Sequence, residues 1–132
     1  MELAVGQAGQ STFETDESHS AVRYGNDGVD VIATPALVGL VEVACHRLMR
    51  PHFDADEASV GVHLDLAHEA AAPIGVTVQV SAEIVAIEGR KVTFAVVAQA
   101  EGTVLMRGRH LRALVDYERL RRSAAERFPG AQ

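Results

Sequence analysis

The chain has 132 residues, of which 48% are hydrophobic, and no tract of low complexity or internal repeat, so we expect one compact domain over residues 1–132. The net charge of −6 is uneven, because residues 1–69 hold 12 acidic and 3 basic side chains whereas residues 70–132 hold 6 and 9; together with an aromatic content of 5%, this excludes nucleic acid as a partner. The longest apolar stretch, from Ile32 to Cys45, is shorter than the ~20 residues that span a bilayer, so no membrane segment is expected.

The first element in chain order has only a weak sequence pattern. Residues 1–30 are polar and acidic and are predicted to form a strand near Thr12–Thr15 and a lid segment, with a turn at Gly25–Gly28. This N-terminal part has no basic segment followed by an apolar run, which a secretion signal would require. We therefore expect a cytoplasmic protein.

The segment that begins at Thr34 predicts a helix of about four turns. Thr34 is expected to cap it, Pro35 to occupy the first helical position, and Pro51 to end it. Apolar side chains cover nearly its whole circumference, which predicts a helix buried on most sides. These side chains are Leu37, Val38, Leu40, Val41, Val43, Ala44, Leu48 and Met49.

Three segments after this helix alternate with period two, which is typical of half-buried strands. Short turns at Glu88-Gly89 and Glu101-Gly102 indicate that neighbouring strands run antiparallel. The predicted core faces are Val60, Val62, Leu64 and Leu66; Val76, Val78, Val80, Ala82 and Ile84; and Val92, Phe94, Val96 and Ala98.

A fourth strand, from Thr103 to Val115, is predicted with an apolar face that Arg107 and Arg109 interrupt. Asp116 is then expected to cap an exposed helix over Tyr117–Arg127, and residues 117–132 form the C-terminal helix and tail. The arginines of this region are expected either to hold the phosphates of a small anionic ligand or to form a solvated helix face. They are Arg119, Arg121, Arg122 and Arg127.

One apolar helix followed by long antiparallel strands predicts an α+β fold in which a curved sheet wraps around the helix, because nothing else in the chain can cover it. This is the hotdog fold. The sheet has too few strands to close on itself, and an open edge favours pairing with a second copy. We therefore expect a homodimer.

Glu42 is the one charged residue between Thr34 and Cys45, in a helix predicted to be buried. A buried carboxylate requires a partner, a proton or access to a pocket. Two roles follow: a structural residue, paired with His46 or open to solvent at a dimer interface, or a catalytic group.

His68 has the parity of Leu64 and Leu66, so it is expected to face the helix at the end of its strand, where it could meet Glu42. It is either a catalytic residue or a core histidine bonded to a carbonyl. Thr34 lies roughly 12 Å from Glu42 along the helix axis. A site that uses both must be wide enough for a substrate or must take them from two subunits.

Several other kinds of site are excluded. His63 and His68 lie on opposite strand faces with no third ligand nearby, so we expect no metal and no cofactor. The single cysteine, Cys45, excludes an internal disulfide and favours a packed thiol over a nucleophile. No Gly-x-Ser-x-Gly, phosphate-binding loop or dinucleotide fingerprint is present.

Four segments, in this order and spacing, resemble the fluoroacetyl-CoA thioesterase family from about Val31 to the terminal helix. They are Ala33-Thr34-Pro35, Gly39-Leu40-Val41-Glu42-Val43-Ala44-Cys45, the run from Val60 to Gly75, and Gly108-Arg109-His110-Leu111-Arg112. The resemblance implies a dimeric hotdog enzyme that hydrolyses acyl-CoA without a metal. The family's catalytic Thr, Glu and His correspond to Thr34, Glu42 and His68.

The resemblance also implies substrate-binding residues. Gly61 matches a glycine beside the acyl group, and Arg112 is expected at the substrate, although Gly108, His110 and Arg112 could equally shape the sheet. Ala72 stands where the family often has threonine. The expected activity is hydrolysis of a short-chain acyl-CoA; the alternatives are a non-catalytic acyl-CoA-binding module and a structural dimer.

Overall fold

The computed structural model describes residues 2–131 and contains five strands and two helices. Three short 3-10 turns lie at Glu17–His19, Ala21–Tyr24 and Arg50–His52. The strands and helices are β1 (Ala8–Glu14), α1 (Thr34–Met49), β2 (Glu57–His68), β3 (Thr77–Glu88), β4 (Lys91–Ala100), β5 (Thr103–Asp116) and α2 (Tyr117–Arg127).

The strands form one antiparallel sheet in the order β1-β3-β4-β5-β2, with α1 packed on its inner face. The inward positions of β3 and β4 are apolar, as their alternation predicts, and they bury the inner side of the helix. This arrangement confirms the hotdog fold. The fully buried contacts include Leu37, Val41, Cys45 and Met49 of α1 with Val78, Val80, Ile84 and Phe94 of the sheet.

The start of α1 differs from the prediction. Ala33, not Thr34, is the N-cap residue, and its extended backbone (φ −69°, ψ 143°) provides no side-chain cap. Thr34 is the first helical residue, so the predicted Thr34 cap is wrong. The reason is tertiary: the Thr34 hydroxyl bonds to His68 on β2 instead.

The burial of α1 is also less complete than its composition predicts. One side of the helix, which carries Gly39, Glu42, Val43 and His46, lies beside the β2 edge of the sheet and is only partly covered, and Val43 is 42% exposed. Hydrophobic residues therefore surround the helix, but the sheet of one protomer covers only part of it. Within residues 2–131, neither helix is long and apolar enough to cross a membrane.

A β-bulge in β2 changes which side chains face the helix. Gly61 pairs with Arg112 and His63 with Leu111, which leaves Val62 without a partner in the register. Before the bulge, Ser59 and Gly61 face inward and Val60 faces outward with Ala113. The predicted shared face of Val60, Val62, Leu64 and Leu66 is therefore wrong in its first half; the second half, which leads to His68, is inward.

The inward face of β5 is polar where the prediction was apolar. Arg107 and Arg109 lie on the outer, exposed face, so the predicted interruption by them is wrong. The polar residues on the inner face are His110 and Arg112, which are 0% and 6% exposed. Gly108 separates the two halves of the strand with φ +149°.

The terminal helix α2 behaves as predicted. The Asp116 carboxylate accepts a hydrogen bond from the Arg119 backbone N–H at 2.9 Å, which caps the helix. No residue of α2 is buried. On its surface Arg121 pairs with Glu118 at 2.8 Å.

Candidate active site

Thr34 and His68 form one polar pair of the site. The Thr34 hydroxyl lies 2.7 Å from Nδ1 of His68. Thr34 is exposed in the first turn of α1, and His68 is half-buried at the end of β2. The pair therefore sits where the helix begins, beside free backbone N–H groups that suit a negatively charged oxygen.

Glu42 lies two turns further along α1, on the side that the sheet leaves open. Its side chain is 39% exposed and faces a cavity of about 440 Å³. This access explains how a charged residue is tolerated in an apolar helix. The cavity is lined by Gly39, Glu42, Val43, His46, Ser59 and Arg112.

The charged partner of Glu42 comes from β5. Oε2 of Glu42 lies 3.5 Å from Nη1 of Arg112 and 3.8 Å from Nε2 of His110. The suggested structural pair with His46 is wrong, because Nδ1 of His46 lies 2.7 Å from the Ser59 hydroxyl.

Arg112 is held in place by three hydrogen bonds. Its Nε donates to the Ser59 hydroxyl at 2.9 Å, its Nη2 to the Ser59 carbonyl at 3.0 Å, and its Nη1 to Nε2 of His110 at 3.0 Å. A planar guanidinium fixed on all sides keeps one orientation toward the carboxylate. Burial lowers the pKa of Arg112, while the neighbouring Glu42 carboxylate raises it.

His110 is the acceptor that orients this guanidinium. Its Nδ1 lies 3.0 Å from the His63 carbonyl, to which only an N–H can donate, so Nε2 is the unprotonated nitrogen that receives Arg112. Burial lowers the pKa of His110 and Arg112 adds to this, which together outweigh the opposing effects of the His63 carbonyl and the Glu42 carboxylate. The imidazole is therefore neutral, and the ionic partner of Glu42 is Arg112.

Gly61 provides the space beside the carboxylate. A Cβ built on Gly61 would collide with Oε2 of Glu42 and lie 3.0 Å from Cε1 of His110. A larger residue would have to displace one of these groups. The structure thus brings together three of the predicted site residues, Glu42, Gly61 and Arg112.

The two groups remain apart within one protomer. His68 contacts Thr34, and among the described residues no hydrogen bond or ion pair joins His68 to Glu42. Glu42 lies eight residues after Thr34, which is about 12 Å along a helix axis. A substrate that reaches both groups must extend between them or meet them from two subunits.

Neither a metal site nor a cysteine nucleophile is found near these groups. Over residues 2–131, no cluster of three or more His, Cys, Asp or Glu side chains could hold a metal ion. Cys45 is fully buried, and burial raises the pKa of its thiol to about 12. The thiol is therefore protonated at neutral pH.

Sequence reasoning missed Ser59 and left the role of His110 open. Ser59 is buried between Arg112 and His46. The signal for His110 was present, since it shares inward parity with Met106 and Leu114 and a polar residue there needs partners. The signal for Ser59 was hidden by the bulge, which places it on the opposite face from the one assumed.

Comparison with known proteins identifies the family. Residues 15–118 match the family described as fluoroacetyl-CoA-specific thioesterase. The fluoroacetyl-CoA thioesterase of Streptantibioticus cattleyicolor is 36% identical over 100 residues, which cover 76% of this chain and 72% of that protein. The chain belongs to the fluoroacetyl-CoA thioesterase family.

Solved structures agree with this membership. A threonine-to-serine mutant of a fluoroacetyl-CoA thioesterase in complex with acetyl-CoA has a TM-score of 0.90 at 29% identity, covering 96% of this chain and 100% of that one. A thioesterase superfamily member from Thermus thermophilus has a TM-score of 0.86 at 25% identity, covering 98% of each chain. The resemblance, the hotdog fold and the enzyme class of thioester hydrolase are confirmed.

Proposed function

We propose that this member of the fluoroacetyl-CoA thioesterase family hydrolyses a short-chain acyl-CoA to the free acid and CoA. The observation that carries the proposal is the position of the Glu42 carboxylate. Arg112 orients it, and it faces a small cavity beside Gly61. Relatives that act on fluoroacetyl-CoA or bind acetyl-CoA support a short acyl group.

The residues divide the chemistry between them. Glu42 acts as the base that activates water or as the nucleophile that forms a transient acyl intermediate. Thr34 and His68 form a hydrogen-bonded pair at the other end of the substrate path, and the N–H groups at the start of α1 suit the thioester oxyanion. Gly61 leaves room for the acyl group. Arg112 acts on the substrate indirectly, because it orients the Glu42 carboxylate.

We propose that the working form is a homodimer. The edge strand β2 carries Val62 and Leu64, which are 49% and 45% exposed, and the open side of α1 carries Val43. These apolar surfaces flank the Glu42 cavity, whose wall one chain leaves incomplete. A second copy that pairs along β2 would cover them and close the site.

A screen of thioesters by acyl-chain length tests the activity. Acetyl-CoA and propionyl-CoA should be hydrolysed faster than long-chain esters, with released CoA detected by a thiol-reactive dye. Because Cys45 is buried, the native protein itself should contribute little signal. Tight binding of CoA esters without turnover would instead make the protein a non-catalytic acyl-CoA-binding module. An acyl-CoA substrate also implies the cytoplasm as its place of action.

A further inference from the structure

A chain of side chains leads from the Glu42 carboxylate to a histidine that the catalytic assignment does not use. Arg112, which orients Glu42, donates through Nε to the Ser59 hydroxyl. The same hydroxyl lies 2.7 Å from Nδ1 of His46, one turn of α1 beyond Glu42. His46 and Ser59 both line the Glu42 cavity.

The direction of each hydrogen bond follows from the donors available. The Arg112 guanidinium can only donate, so the Ser59 oxygen accepts from it and its single proton is free for another acceptor. Among the hydrogen bonds of residues 2–131, Nδ1 of His46 is the acceptor available for that proton, so in this arrangement Nδ1 carries no proton. No buried side-chain nitrogen or oxygen of residues 2–131 lacks a hydrogen-bond partner.

We propose that Ser59 and His46 are positioning residues for Glu42, which act through Arg112 and only while His46 is neutral; the proposal rests on the thioesterase function proposed above. A protonated His46 would point an N–H at an oxygen that already accepts from Arg112. The Ser59 proton would then lose its acceptor, and two cations would meet at one hydroxyl. The Arg112 Nε–H would then share the Ser59 oxygen with a second donor, which weakens one of the three hydrogen bonds that fix the guanidinium toward Glu42.

The surroundings of His46 favour the neutral form. Its charged neighbours are Glu42 and Arg50 on or next to its own helix and Arg112 from β5, and the Phe53 ring packs against it at 5.5 Å. Burial lowers the pKa of His46, and Arg112 and Arg50 lower it further. At neutral pH the imidazole can thus accept a hydrogen bond from the Ser59 hydroxyl, and the imidazole becomes charged as the pH falls.

The first test removes the hydroxyl. Ser59→Ala should lower kcat for acetyl-CoA about 10- to 100-fold, the usual effect of a misplaced catalytic group, while KM changes little. Ser81→Ala on β3, which removes a hydroxyl bonded to Gln10, is the matched control and should keep the wild-type kcat. Thermal melts show whether each variant is folded, and a folded Ser59→Ala with wild-type kcat overturns the proposal.

The second test removes the charge of His46 but keeps an acceptor. In His46→Asn the side-chain oxygen can replace Nδ1, so kcat above pH 8 should stay within about threefold of wild type while the acid limb of the kcat profile moves to lower pH. His52→Asn, in the turn after α1, should leave the profile unchanged. An acid limb that does not move in His46→Asn overturns the role of His46.

Imidazole nitrogen NMR separates this inference from the proposed activity. In the wild type, Nδ1 of His46 should resonate as an unprotonated acceptor, and Ser59→Ala should shift that resonance. If the resonance behaves so but wild-type protein hydrolyses no thioester, the proposed function fails and the hydrogen-bond chain stands. If the wild type hydrolyses thioesters but the His46 resonance is the same in Ser59→Ala, the hydrogen-bond chain is refuted and the proposed function is not.

Discussion

At the scale of single residues, the site consists of side chains whose roles are set by their partners. Arg112 lies 3.5 Å from Glu42, and His110 and Ser59 hold its guanidinium in that position. Thr34 and His68 depend on one hydrogen bond. Each of these pairings gives a substitution with a defined outcome.

Glu42→Gln and His68→Ala should each lower kcat by roughly two to four orders of magnitude, the usual contribution of a positioned acid, base or nucleophile. Glu42→Gln keeps an oxygen that Arg112 can bond but removes the counter-charge of that buried guanidinium, so the melting temperature should fall slightly while the fold is retained. Steady-state kinetics and thermal melts measure both effects. Early melting of Glu42→Gln together with full activity would assign Glu42 to structure instead.

Thr34 allows catalysis and stability to be separated. Because Thr34 is exposed and does not cap α1, Thr34→Ala should change the free energy of unfolding by less than about 0.5 kcal/mol. The same change removes the hydrogen bond to His68 and should reduce kcat, whereas Thr34→Ser keeps the hydroxyl and most of the rate. Denaturant unfolding and kinetics on both variants check this. A large loss of stability in Thr34→Ala would show that Thr34 caps the helix after all.

At the scale of elements, the pairing of β2 with β5 decides where the site residues lie. The bulge at Gly61–His63 turns Ser59 and Gly61 toward the helix, and the His63 carbonyl in that bulge bonds His110. Both strands pass close together at Gly108, where a Cβ would collide with the Asp65 carbonyl oxygen. This contact permits only glycine there without a shift of β2.

Gly108→Ala should therefore destabilise the protein by more than about 2 kcal/mol, because it combines a positive φ with a backbone collision. Gly102→Ala is the matched control: it also has a positive φ (+84°) but nothing within 4 Å, so it should cost only about 1 kcal/mol. Urea unfolding of both variants gives the comparison. Equal losses at the two glycines would show that the close approach of β2 and β5 is unimportant.

At the scale of the whole molecule, one chain leaves apolar side chains exposed on the edge strand β2 and on one side of α1. Val43 of α1 lines the Glu42 cavity, and β2 contributes Ser59 to its wall. The homodimer proposed here covers both surfaces at once. Assembly and activity should therefore be lost together.

Sedimentation of the wild type should give about twice the mass of the chain. Val62→Lys places a charge on the exposed β2 edge and should produce monomers with strongly reduced turnover. Val5→Lys changes a residue that is 62% exposed near the N-terminus and should remain dimeric and active. A wild-type monomer at micromolar concentration that hydrolyses thioesters would refute the two-subunit site.

The sequence by itself determined the main elements and the family, and it named the residues that we propose for the site. The apolar run after Thr34 and the alternation in β3 and β4 specify their structures locally, since periodicity decides which face is buried. Glu42 stood out because a charge in an apolar helix has a high cost without a partner or a pocket. The order and spacing of these residues led to the family.

Only the tertiary structure decided how those residues pair. The β2 bulge, which reverses the faces of Val60 and Gly61, arises from the register with β5, and a register between strands far apart in the chain has no local signal. For the same reason the sequence suggested His46 as one of several partners for Glu42 and predicted a cap at Thr34. In the folded chain Glu42 pairs with Arg112, His46 with Ser59 and Thr34 with His68. Hydrogen-bond partners that come from different elements depend on how those elements pack.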